Sequence, residues 1–200
     1  MTKIPLALII SRLFIGFTLI AIPFLHLIYY KELFISLLTI GLLTDVFDGI
    51  IARKLGISTQ KMRRLDSIVD QSFWLCALIA SYLLCSAFFK EHSIKLFLII
   101  ILEGLTYVVS YLKFKKEVST HAILSKIWTL SILAVLIQIV AKCNSVILFN
   151  VCFYLGIISR IEIVFITLII KEWVTDVPSI YHAVLLRKGK TIKRNKFFNG

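Results

Sequence analysis

The sequence predicts an all-α integral membrane protein with six transmembrane helices and both termini in the cytoplasm. Three observations predict it. The chain is 59% hydrophobic with a mean hydropathy of +0.93, more apolar surface than a soluble domain of 200 residues can bury. The apolar residues fall in runs long enough to cross a bilayer, which takes about 20 helical residues. The basic residues are distributed unevenly over the loops between those runs.

The runs are 4–30, 33–52, 66–89, 94–112, 123–141 and 145–170. The first is longer than the ~7–15 apolar residues of a signal peptide and is followed by no small-residue cleavage site, so it reads as a retained helix. The last is interrupted by Arg160 and Glu162 and could form two shorter pieces. Barrel strands would alternate apolar and polar residues with period two. Residues 96–102 and 132–137 are instead continuously apolar. One side of the bundle carries Lys3, the second loop (Arg53, Lys54, Lys61, Arg63, Arg64), the fourth loop (Lys113, Lys115, Lys116) and the tail (Arg187, Lys188, Lys190, Lys193, Arg194, Lys196). The other side carries Lys31, Lys90, Lys95 and Lys142. That bias places the first side in the cytoplasm. It also explains the net charge of +12 without nucleic acid, because the basic tail can lie on anionic headgroups. The simplest division is a membrane domain over residues 1–186 and a basic cytoplasmic tail over 187–200.

Cys76, Cys85, Cys143 and Cys152 lie in or beside apolar runs with no CxxC pair, and are expected to pack as small hydrophobes. His26, His92, His121 and His182 have no ligand-like spacing. Trp128, Trp173 and Tyr181 read as headgroup-level aromatics.

Four of the five aspartates, Asp45, Asp48, Asp66 and Asp70, fall between residues 45 and 70. An aspartate at the centre of a membrane helix costs roughly 2.5–3.5 kcal/mol. Asp45 and Asp48 are three apart on the second helix, and Asp66 and Asp70 are four apart on the third, so each pair shares a face. The short loop over 54–65 makes those helices antiparallel neighbours whose carboxylates can converge. Taken singly, Asp66 could cap its helix and Asp45 or Asp48 could reach interfacial water. Four carboxylates at close range repel one another, and divalent cations would balance them. A two-metal site suits in-line displacement at phosphorus. Gly49 and Ala52 leave room beside that face, and Arg53 ends it.

These residues resemble the signature D-x2-D-G-x2-A-R-x8-G-x3-D-x3-D of the CDP-alcohol phosphatidyltransferase family, with Asp45, Asp48, Gly49, Ala52, Arg53, Asp66 and Asp70 in register. Met62 stands where the family has its second glycine. The resemblance covers most of residues 1–186. It implies a six-helix membrane enzyme that moves a substituted phosphate group from a CDP-linked lipid or CDP-alcohol to an acceptor alcohol and releases CMP. Asp45, Asp48 and Asp66 would hold Mg2+ or Mn2+, two ions in all. Asp70 would deprotonate the acceptor while also touching metal. Gly49, Ala52, Arg53 and Met62 would border the donor nucleotide and phosphates. A homodimer and a site facing the cytoplasm, in a bacterial cytoplasmic membrane, are further expectations.

Arg12 sits early in the first helix, where family members often carry an arginine. It is read either as a donor contact or as a snorkelling side chain. Ser125-Lys126-Ile127-Trp128-Thr129 is similar to a G/S-K-x-x-T stretch of phosphatidylglycerophosphate synthases, so Lys126 is a candidate for acceptor binding or a plain interfacial anchor. Arg160 lies roughly 15 Å along its helix from the cytoplasmic end. It pairs with Glu103 or Glu162, or binds an acceptor phosphate. Glycerophosphate-using relatives usually place an arginine before the glutamate of the fourth helix; here Leu102 precedes Glu103. Two other functions compete: a divalent-cation transporter, since intramembrane aspartates also line ion paths, and a non-catalytic relative in which Met62 has altered the donor site.

Overall fold

The computed structural model describes residues 3–54, 60–116, 118 and 122–190, with the side chains of residues 3, 4, 52–54, 60, 61 and 63 outside that description. Among the described residues there is no strand. The described residues form eight α-helices in the order α1 (Lys3–Ala21), α2 (Tyr30–Lys54), α3 (Gln60–Leu84), α4 (Ser86–Glu91), α5 (Ser93–Phe114), α6 (Ile123–Lys142), α7 (Val146–Ile169) and α8 (Ile180–Arg187). Six of them, α1, α2, α3, α5, α6 and α7, are long and apolar enough to cross a membrane. Large apolar side chains such as Phe14, Phe47, Leu75, Ile100, Leu130 and Phe165 are exposed on their outer faces. In a bilayer those faces meet acyl chains, which solvate them, while the helices satisfy their own backbone groups.

The first and the last hydropathic runs fare differently. The apolar stretch over 4–30 is not one helix: α1 gives way to a 3₁₀ turn at Ile22–Phe24. Pro23 has no N–H to donate and its ring crowds the preceding turn, which ends an α-helix. His26, at φ +47°, then reverses the chain. The stretch over 145–170 is a single helix, α7, and Arg160 is buried within it, so no break is needed to bring its charge to solvent.

The chain forms two compact units. The first comprises Met1–Lys90 and Leu136–Ser145. In it α1 packs against both α2 and α3, and these two touch each other little. The expected contact of α2 with α3 is present at Phe73 over Gly41 and at the carboxylates but is thin, and α1 is wedged against both. Gly16 on α1 allows the close approach, since a Cβ there would lie 3.4 Å from the Phe73 Cα and the Cys76 Cβ. The Phe73 ring, fully buried, fills the space over Gly41 that a side chain would need. Around these residues Ile9, Leu19, Phe34, Leu38, Ala77 and Ala80 form the core.

At the end of α3 away from the aspartates, Cys85 is disulfide-bonded to Cys143, which follows α6. This corrects the reading of all four cysteines as packed hydrophobes. Only Cys76 and Cys152 are free. Near the same end Lys31 Nζ donates to the Ala141 carbonyl at 3.0 Å, where a cation complements the exposed carbonyls of a helix C-terminus.

The second unit comprises Glu91–Val135 and Val146–Gly200. Here α5 packs along α7, and α8 folds back on α7 over a core of Ala122, Ile163, Ile166, Ile170, Val177 and Ala183. Lys113 Nζ caps the end of α7 by donating to the carbonyls of Thr167 (3.0 Å), Leu168 (2.6 Å) and Ile170 (2.8 Å). Trp128, expected at headgroup level, turns inward. Its indole N–H donates to the Cys152 carbonyl at 3.1 Å, and it sits against Gly156, where any Cβ would strike the ring.

Candidate active site

Three helices of the first unit build the site, each from well inside its end. Asp45 and Asp48 lie on α2, one turn apart, and Asp45 is about 14 Å from the helix terminus at 1.5 Å per residue. Asp66 and Asp70 lie in the first three turns of α3. Arg12 lies on α1, about 14 Å from its start. The wedge position of α1 brings this guanidinium into the middle of the four carboxylates.

Arg12 has no solvent exposure. Its Nη1 is 2.8 Å from Asp45 Oδ1, 3.2 Å from Asp66 Oδ1 and 3.7 Å from Asp70 Oδ1. Its Nη2 donates to Asp48 Oδ2. Its Nε is buried without a hydrogen-bond partner. The Asp48 side chain is 4% exposed, whereas those of Asp45, Asp66 and Asp70 are 35–36% exposed. The cluster thus has a closed floor at Asp48 and an open rim formed by the other three.

One carboxylate oxygen from each of Asp45, Asp48 and Asp66 lies within 4.8 Å of the others. Asp70 stands outside that triad. One turn further along α3 Trp74 stands on the same helical face as Asp70. A set of hard carboxylate oxygens with an open side matches what Mg2+ and Mn2+ require when substrate oxygens complete the shell. A single guanidinium among four carboxylates leaves a formal excess of three negative charges, which again calls for cations.

Gly49 is half-buried on α2, and Met62 is half-buried in the first turn of α3. The side chains of Ala52 and Arg53 lie outside the described residues. Arg12 neither snorkels nor stands free for a donor; it is held by the aspartates. In the second unit Lys126 is exposed on α6. Arg160 takes the ion-pair reading, with Nη1 2.9 Å from Glu103 Oε2 and the guanidinium stacked 4.3 Å over the Trp128 ring.

The sequence reading missed two of these features: the ring of Trp128 under Arg160 and the seat of Arg12.

The model of the CDP-alcohol phosphatidyltransferase family matches residues 2–170 of the chain. No curated protein and no solved structure matches it.

Proposed function

The chain belongs to the CDP-alcohol phosphatidyltransferase family, and from that premise we propose that it transfers a phosphatidyl or other substituted phosphate group from a CDP-linked donor to an alcohol, with release of CMP, in phospholipid synthesis. The observation that carries this reading is the convergence of Asp45, Asp48 and Asp66 oxygens within 4.8 Å, beside an Asp70 that stays outside their triad.

In this reading Asp45, Asp48 and Asp66 hold Mg2+ or Mn2+. When bound, the ions neutralise the donor pyrophosphate and the charge that builds on the transferring phosphoryl group. Asp70 takes the proton of the acceptor hydroxyl. The acceptor oxygen then forms a bond to the donor's lipid-side phosphorus as the bond from that phosphorus to the CMP oxygen breaks. Positioning and proton transfer of this kind are the usual means of lowering such a barrier. Gly49 and Ala52 leave space for the donor, Arg53 neutralises phosphate, and Met62 borders the cytidine end in place of the family glycine. Lys126 is the proposed acceptor contact. Arg160 would join it only by exchanging Glu103 for an acceptor anion.

The site is proposed to face the cytoplasm. Besides the basic loops, the disulfide supports this. Asp66 and Cys85 bracket α3 about 28 Å apart along its axis, nearly the thickness of the hydrocarbon core. A disulfide persists on the oxidising side of a membrane, which supports the proposal that the carboxylates face the reducing side.

The test is CMP release by purified protein from CDP-diacylglycerol and from soluble CDP-alcohols, with Mg2+, across serine, glycerol phosphate, inositol phosphate and simple alcohols. Release that Asp70→Asn abolishes supports the proposal and names the acceptor. Metal uptake into vesicles without CMP release would point to a transporter instead, and neither activity in a folded protein to a non-catalytic relative.

A further inference from the structure

Arg12 makes an unusual set of contacts for a positioning residue. It is entirely buried, it lies on a helix that contributes no carboxylate, and it reaches all four aspartates at once. Its Nη1 engages Asp45 Oδ1 and Asp66 Oδ1, and its Nη2 engages Asp48. These are the three residues whose oxygens come within 4.8 Å of one another. A Mg2+ ion needs its carboxylate oxygens at about 2.0–2.1 Å. The guanidinium and a cation held by this triad would therefore compete for the same three carboxylates.

We propose that Arg12 is a built-in counter-cation of the aspartate triad, seated where divalent cations bind and displaced by them. This rests on the metal-dependent reading of the site. The contacts of Arg12 account for how four aspartates fold together within the apolar part of the chain before any ion arrives. Its buried Nε makes no hydrogen bond, so among the described residues the polar contacts of the head group are all to carboxylates. When cations take the carboxylates, the long side chain swings toward the open rim of Asp45, Asp66 and Asp70. There its charge meets the phosphates of an arriving anionic donor. The exchange couples cation and donor binding, because the donor gives the released guanidinium a new partner.

The experiment is a Mn2+ titration of donor-free protein in detergent, read by electron paramagnetic resonance, for the wild type and Arg12→Gln. The expected result is Mn2+ binding at least tenfold tighter in Arg12→Gln. Its melting temperature in EDTA should also be lower than that of the wild type, and Mn2+ should restore it. Damage to the fold alone would weaken Mn2+ binding, so tighter binding has no merely structural explanation. If Arg12→Gln does not fold, the same comparison is made between Asp48→Asn and Arg12→Gln/Asp48→Asn, in which the buried charge opposite Arg12 is also removed. Equal or weaker Mn2+ binding without the arginine, in whichever pair folds, overturns the counter-cation. Absence of Mn2+ binding from both wild type and variant overturns the metal reading itself.

Discussion

Removing the Cys85–Cys143 disulfide should destabilise the first unit without touching its chemistry. The bridge spans a sequence separation of 58, and closing a loop of that size removes about 4 kcal/mol of unfolded-state entropy in the chain-entropy treatment. In a membrane the unfolded reference keeps inserted helices, which already limit how far the loop ends separate. The expected loss is accordingly about 1–3 kcal/mol, within the range measured for disulfides. The perturbation is the double variant Cys85→Ser/Cys143→Ser, compared with the wild type with and without reductant. Thermal unfolding in detergent, followed by tryptophan fluorescence, should give a lower midpoint for the variant and for the reduced wild type, and the same midpoint for both. Maleimide-polyethylene glycol applied after denaturation should add two labels to the unreduced protein, at Cys76 and Cys152, and four after reduction. CMP release at low temperature should survive, because Cys85 lies about 28 Å along α3 from Asp66. Four labels on unreduced protein, or identical midpoints for oxidised and reduced protein, would refute the reasoning.

Asp70→Asn should lower CMP release by about 10²–10⁴, the usual worth of a general base, while leaving Mn2+ affinity within about threefold; a parallel loss of Mn2+ binding would make Asp70 a ligand instead. Glu103→Leu should cost about 3–5 kcal/mol by stranding the buried Arg160 guanidinium. Glu103→Leu/Arg160→Met should recover most of that in the same chemical-denaturation assay, and a double variant as unstable as the single one would show that the pair is not what matters there. Gly41→Leu should destabilise by about 1–3 kcal/mol or more through overpacking, because the Phe73 ring occupies the space its side chain needs; a wild-type unfolding midpoint would count against the α2–α3 packing described.

The spans were legible because their signal is local: about 20 apolar residues in a row leave few alternatives. The aspartate cluster was legible because helical spacing puts 45 with 48 and 66 with 70 whatever the rest of the chain does. Which helix lies between them was not. That order is set by small residues such as Gly16, whose partner Cys76 is 60 positions away, and it decides that Arg12 points at carboxylates rather than at headgroups. The disulfide was hidden for a similar reason, since only folding brings Cys85 to Cys143. The choice of partner for Arg160 was partly readable. Glu162 stands two positions on and so on another face of α7, which left Glu103. The end of α1 was also readable at Pro23, where hydropathy alone runs on to residue 30.

The central claim is that the carboxylates of Asp45, Asp48 and Asp66 act by gathering divalent cations. It is tested most directly by measuring CMP release against Mg2+ concentration for the wild type and Asp45→Asn. CMP release should depend saturably on Mg2+, be lost completely in EDTA, and show a half-saturating Mg2+ concentration raised at least tenfold in the variant. Release that persists in EDTA, or an Asp45→Asn curve that overlays the wild type, would contradict it.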